Sequence, residues 1–250
     1  MRRSRLTTLL AALLLALTFA TGTKADTGTR VSTDCSFLAY TTAYTGYVYQ
    51  DFGKWGDHKP VLQSGITTTC GSWNVDVWNS SELSTTGRYG KRGGGDEGDL
   101  TVYYSDTVQT SLGPISYQFG GAYYALGYGK DGLDASKDDT AYGYLQVGRS
   151  FAVGTTTLTP FVRPSIYQHM SNQSPDYVLR YGICFDVPLA EHFSLRGDVT
   201  AASIFNQHRT VFRPTIWLAA SLGNGWEIDA GLKTTNDTGP AWYVGLNKAF

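Results

Sequence analysis

The nine residues Trp242-Tyr243-Val244-Gly245-Leu246-Asn247-Lys248-Ala249-Phe250 decide how the rest of the chain is read. Trp242, Val244, Leu246, Lys248 and Phe250 fall on one face of an extended chain, and Tyr243, Gly245, Asn247 and Ala249 on the other. Side chains of a strand alternate between its faces, so this segment has one mostly apolar side and one small or polar side. The same period-2 pattern recurs upstream. Trp73, Val75 and Val77 oppose Asn74 and Asp76, and Leu100, Val102 and Tyr104 oppose Asp99, Thr101 and Tyr103. Ile115, Tyr117, Phe119 and Tyr123 alternate with Ser116, Gln118, Gly120 and Ala122. Tyr177 to Val187, Phe193 to Val199 and Trp226 to Leu232 repeat the arrangement, and less regular runs lie near 36–49, 60–70, 140–149, 156–167, 210–221 and 240–250. About twelve strands of about ten residues result, a length that suits tilted membrane-spanning strands.

Composition agrees. The 250 residues are 42% hydrophobic, yet after the leader no run is long enough for a membrane-spanning helix. Charged residues are 16% and aromatic residues 14%, with 17 Tyr, 6 Trp and 29 Gly, a mix that fits neither a disordered chain nor a helical bundle. A net charge of -1 gives no electrostatic footprint for nucleic acid. Three arginines in Met1–Arg5, an apolar run Leu6–Ala20 and a small-x-small site at Thr23-Lys24-Ala25 read as a secretory signal peptide over 1–25. Residues 26–250 then form one domain in an exported protein.

A soluble sandwich also alternates polar and apolar faces. Loop lengths argue against it. The links 50–59, 81–97, 127–139, 168–176, 204–209 and 234–239 are mostly long, whereas 71–72, 106–113, 150–155, 188–192 and 222–225 are shorter on the whole. Short periplasmic turns alternating with longer outer loops are the habit of outer-membrane barrels. Trp73, Tyr177, Phe193, Trp226 and Trp242 stand near the ends of apolar faces, where aromatic girdles meet lipid headgroups. The last strand, through Trp242, Val244, Leu246 and Phe250, resembles the C-terminal strand of bacterial outer-membrane barrels, which ends in Phe and is read by the barrel-assembly machinery. The expectation is an all-β fold, a transmembrane antiparallel up-and-down β-barrel of about twelve strands, monomeric or trimeric, in contact with outer-membrane lipid.

The start of the mature chain adds a second resemblance. Tyr44-Thr45-Gly46-Tyr47-Val48-Tyr49-Gln50-Asp51, Lys59-Pro60-Val61-Leu62-Gln63-Ser64-Gly65-Ile66, Gly71-Ser72-Trp73 and Val77-Trp78-Asn79-Ser80 resemble the opening strands of the TorF-like porin family. The resemblance runs to about Ala125. The chain has Thr45-Gly46 where an Arg-Gly pair is usual. It implies a barrel fold more than a particular transported solute.

With apolar faces against lipid, the opposite faces enclose a lumen. Asp76, Glu97 and Asp99 are its acidic contribution from strands three and four. Arg163, Arg180, Arg196 and Arg213 come from strands seven to ten, interrupted by Asp186 and Asp198, and strand eleven adds Glu227, Asp229 and Lys233. Arginine stays charged in almost any surroundings and its fork suits carboxylate and phosphate. Clusters of charged side chains are how pores choose ions. Such a lumen predicts a passive channel for small polar solutes, anions among the candidates, with neither cofactor nor metal. Opposite charges that neutralise one another would instead give a non-conducting structural or adhesion barrel. His169-Met170-Ser171-Asn172, read as a loop, superficially resembles the His-x-Ser arrangement of outer-membrane phospholipase, but nothing else of that enzyme's pattern is visible, and the expectation is no enzyme. Cys35 and Cys70 fall at the same rim of the strand map; a bridge between them and a pair of inert thiols are both open on spacing, and Cys184 stays free either way.

Overall fold

The computed structural model describes residues 35–46, 60–83, 97–111, 113–126, 139–170, 174–236 and 239–250. The leader over 1–25, the loop pair Lys91-Arg92, and Ser171 and Asn172 lie outside the described residues.

Strands follow one another as β1 (Cys35–Tyr44), β2 (Val61–Cys70), β3 (Trp73–Glu82), β4 (Glu97–Thr110), β5 (Gly113–Leu126), β6 (Thr140–Gly148), β7 (Phe151–Val153), β8 (Thr156–His169), β9 (Asp176–Ala190), β10 (Phe193–Ile204), β11 (Arg209–Gly223), β12 (Trp226–Lys233) and β13 (Ala241–Ala249). Every pairing is antiparallel, and β6 and β7 both pair with β8. They are two parts of one stave broken at Arg149-Ser150, where the Arg149 N–H still donates to the Pro160 carbonyl at 3.1 Å. The ring closes where β1 meets β13, from Leu38↔Ala249 to Tyr44↔Tyr243. The result is a closed up-and-down barrel of twelve staves. Closure removes both sheet edges, so each stave finds ladder partners on its two sides.

At one rim the connections are tighter than the sequence pattern predicts. The pairs Thr110↔Gly113, Val153↔Thr156, Ala190↔Phe193 and Gly223↔Trp226 leave two residues each where links of four to eight were expected. Ladder hydrogen bonding continues past the apolar stretch because backbone groups need partners whether or not the side chains alternate. In the last of these turns Asn224 and Gly225 have φ of 50° and 77°, the left-handed pair that matches strand twist in a two-residue hairpin. The first strand is shorter than the expected 36–49. It ends at Tyr44, with a bend at Thr45-Gly46, and residues 47–59 lie outside the described residues.

The barrel turns its grease outward. Ile66, Val77, Leu100, Val102, Leu145, Phe212, Ile216 and Val244 are all exposed, Val77 at 57%. Trp73, Phe193 and Trp226 open their strands at the tight-turn rim, while Tyr177 and Trp242 stand second in theirs at the opposite rim. Aromatic residues thus bracket the apolar band from both sides, as interfacial girdles do. No second sheet packs over this face among the described residues; the single sheet closes on itself instead.

Candidate functional site

The inward face holds most of the charged residues of the strands. Twelve strands about 4.8 Å apart and tilted about 40° enclose a backbone ring about 24 Å across, so side chains of about 6 Å from each wall leave an interior about 12 Å wide.

One wall is acidic. Asp76 on β3 accepts hydrogen bonds from the Tyr40 hydroxyl at 3.1 and 3.2 Å and from Thr67 Oγ1 at 2.6 Å. Tyr40 reaches it by lying across Gly65, where a β-carbon would overlap the phenol ring; the absent side chain is what permits the crossing. The register sets Asp99 beside Trp78 and Glu97 beside Ser80, placing both carboxyls on the strand adjoining Asp76. Glu97 is buried.

The facing wall is rich in arginine. Arg196 sits between two carboxylates: its Nε donates to Asp186 at 3.2 Å and its Nη1 to Glu227 at 2.9 Å. Arg163 and Arg180 are directly paired across β8 and β9. Arg163 donates from Nε to the Gln146 side chain at 2.8 Å and lies over the Tyr144 ring at 4.7 Å. Arg213 is 7% exposed, and its Nη2 is 4.0 Å from Asp198. Its Nε and Nη1 are buried without a hydrogen-bond partner. Asp229 accepts from Asn247 at 2.7 Å, and the Lys233 ammonium lies 6.0 Å from the Tyr44 ring. Cys184 pairs in register with Asp198 and Thr159, and its thiol is free and exposed.

Two features escape a reading by charge alone. Tyr142 stacks on Tyr167 at 4.4 Å, Tyr144 at 5.1 Å and Tyr124 at 5.9 Å, and this group packs with Ala122, Val178, Ala202, Ile204 and Val211 on the inward face. The interior therefore contains an apolar, aromatic buttress at the long-loop end. Its sequence signal is the row Tyr124, Tyr142, Tyr144 and Tyr167, each at the parity of the inward positions. The second is His169, which closes β8 and is no loop residue. Its Nδ1 is 2.9 Å from Thr140 Oγ1 and its Nε2 3.1 Å from Asp176, to which Gln207 also donates at 3.3 Å. Both ring nitrogens are engaged in tying β6, β8 and β9 together, because the ladder extends to the strand end and brings Thr140 opposite His169. Lower in the barrel, a recess of about 450 Å³ is lined by Tyr103, Ser105, Thr107, Ser116, Gln118 and Gln146, among others.

At the tight-turn rim Cys35 and Cys70 form a disulfide between paired positions of β1 and β2. The Phe250 N–H donates to the Phe37 carbonyl at 2.8 Å, and the Phe37 N–H to the Phe250 carbonyl at 3.4 Å. Trp242, Val244 and Leu246 are exposed on the outer face. Lys248 shares that face, with its ammonium 5.3 Å from the Trp226 ring and 5.2 Å from the Phe250 ring while donating to the Asn224 carbonyl.

Solved structures share this architecture. The NanC porin superposes with a TM-score of 0.57 at 9% identity, over 85% of this chain and 98% of its own. The KdgM porin gives 0.54 at 9% identity over 86% and 99%, and KdgM in complex with disordered oligogalacturonate gives 0.54 at 10% identity over the same shares. The chain has the fold of a porin barrel. At such identities the similarity is one of backbone architecture. No family model matches the sequence, and no match was found among curated proteins.

Proposed function

We propose that the protein is a passive channel of the bacterial outer membrane for small polar solutes, anions included, and that it is not an enzyme. The observation that carries this is the sorting of side chains across one closed sheet: Val77, Leu100 and Val244 outward, Asp76, Arg163 and Arg196 inward. An apolar band bounded by aromatic residues has water as its worst neighbour and lipid as its best, whereas charged groups are stable within only if they are paired or hydrated. Solute moves down its gradient. Arg163, Arg180 and Arg213 draw acidic groups; Asp76, Glu97 and Asp99 set orientation; Arg196, Asp198, Glu227, Asp229 and Lys233 line the remainder. The names of the fold neighbours, two porins of matching length, support the reading, as does the resemblance of the opening strands to the TorF-like porin family.

The leader over 1–25 directs export, residues 26–250 form the barrel, and the assembly machinery recognises the last strand through Trp242, Val244, Leu246 and Phe250. Planar-bilayer recording tests the central claim. Discrete conductance steps are expected, with an ion preference that changes when Arg180 and Arg196 are replaced by Ala. Correctly folded protein that leaves the bilayer silent overturns the channel reading and leaves a structural barrel.

A further inference from the structure

We propose that the interior favours zwitterionic solutes, of the class of free amino acids, over neutral solutes of equal size. This inference rests on the channel reading and names its solute.

The sequence confines the basic residues of the strands to one half of the ring, while acidic residues such as Asp198 and Asp229 occur in that half as well. Strands β1 to β7 contain no Lys, Arg or His, and every basic residue within a strand belongs to β8–β13. In ring order β3 stands six staves from β10 and β4 six from β11, so Asp99 lies on the stave diametrically across from that of Arg213 and Asp76 is one stave off it. The levels match as well. Asp99 is two residues from the long-loop end of β4 and Asp76 six from that of β3, while Arg180 and Arg213 are each four residues in and Arg163 six.

Opposed charges generate a field only if they are not already zipped together, and among the described residues the contacts of Asp76 and Arg163 are to neutral groups. Asp76 is held by the hydroxyls of Tyr40 and Thr67, which satisfy its oxygens without cancelling its charge. Arg163 is held by a neutral amide and an aromatic ring. Arg213 keeps two nitrogens without a hydrogen-bond partner, while its Nη2 is in ion-pair range of Asp198 at 4.0 Å. The Arg196–Asp186–Glu227 cluster, by contrast, sets its one cation between two carboxylates and adds no free positive charge to that wall. A solute carrying one carboxylate and one ammonium satisfies both walls at once, carboxylate toward β8–β11 and ammonium toward β3–β4. An anion or a cation gains at one wall and is repelled at the other. Two unit-charge attractions at about 8 Å in a water-like dielectric multiply occupancy about fivefold.

The test is proteoliposome swelling with the full-length mature protein, in isosmotic γ-aminobutyrate and, separately, in isosmotic erythritol, a neutral solute of equal carbon number. Wild type is expected to admit the zwitterion about fivefold faster than the polyol after correction for size. Asp76→Asn with Asp99→Asn, and independently Arg163→Gln with Arg213→Gln, should each lower that ratio at least twofold. In a KCl gradient the two variants should shift reversal potential in opposite directions. Heat-modifiable migration in gels confirms a folded barrel, and the single substitution Asp76→Asn supplies a milder version should a double variant fail to fold. A wild-type ratio near one, or a ratio that neither pair of substitutions changes, overturns the inference while leaving a working channel. Exclusion of both solutes with no conductance overturns the channel reading beneath it.

Discussion

Replacing Arg196 by Gln would remove the cation that holds Asp186 and Glu227 together, and the consequence can be worked through. The guanidinium lies 3.2 Å from one carboxylate and 2.9 Å from the other, and its side chain is 32% exposed. Partial exposure makes the stability cost small, about 1 kcal/mol or less, because water and salt replace much of the lost attraction. The electrostatic effect on permeation is larger. Side chains reaching inward from a ring about 24 Å across stand about 6 Å from the axis, where a unit charge in a water-like dielectric contributes about 0.7 kcal/mol. Losing that positive charge enriches cations about threefold and depletes anions about threefold, a change of about tenfold in their permeability ratio. Reversal potentials across a planar bilayer read this directly. The shift should be present at about 0.1 M salt and mostly lost at about 1 M, where the screening length falls to about 3 Å. Arg196→Lys, which preserves the charge, should restore the wild-type value. An unchanged potential at low salt, or a shift equally large at both salt concentrations, would refute an origin in the interior field.

Other consequences are as direct. Val77→Arg, on the exposed outer face in mid-strand, should destabilise the membrane-embedded barrel by about 2–4 kcal/mol in urea titrations, whereas Thr101→Arg on the inner face should cost far less; equal costs would mean the faces are misassigned. Cys35→Ser with Cys70→Ser opens a link spanning 35 residues and should lower stability by about 4 kcal/mol without abolishing the heat-modifiable form. Gly65→Ala should drive Tyr40 off Asp76, with a cost of about 1–3 kcal/mol and a changed ion preference. Phe250→Ala should reduce the amount of barrel assembled in cells while purified protein still refolds in detergent; normal assembly would remove the C-terminal residue from the recognition signal.

The alternation of Trp73, Val75 and Val77 with Asn74 and Asp76, repeated along the chain, was enough to specify strands, their faces and their number, because side-chain direction in an extended chain is a local property with period two. The same parity predicted that Asp76, Arg163 and Arg213 share one side of the sheet. It could not say what each would meet there. That Asp76 is bound by Tyr40 and Thr67, that Arg196 is shared by Asp186 and Glu227, and that Cys35 is bonded to Cys70 are matters of register between residues up to 36 positions apart. Register is set by the turns and by closure of β1 on β13, which no local window contains. The tyrosine buttress around Tyr142 and the Thr140–His169–Asp176 tie are of the same kind. Sequence alone determined which face of each ribbon is greasy; only the closed ring decided which charges face one another across the interior, since opposition is a property of the circumference and not of any strand in it.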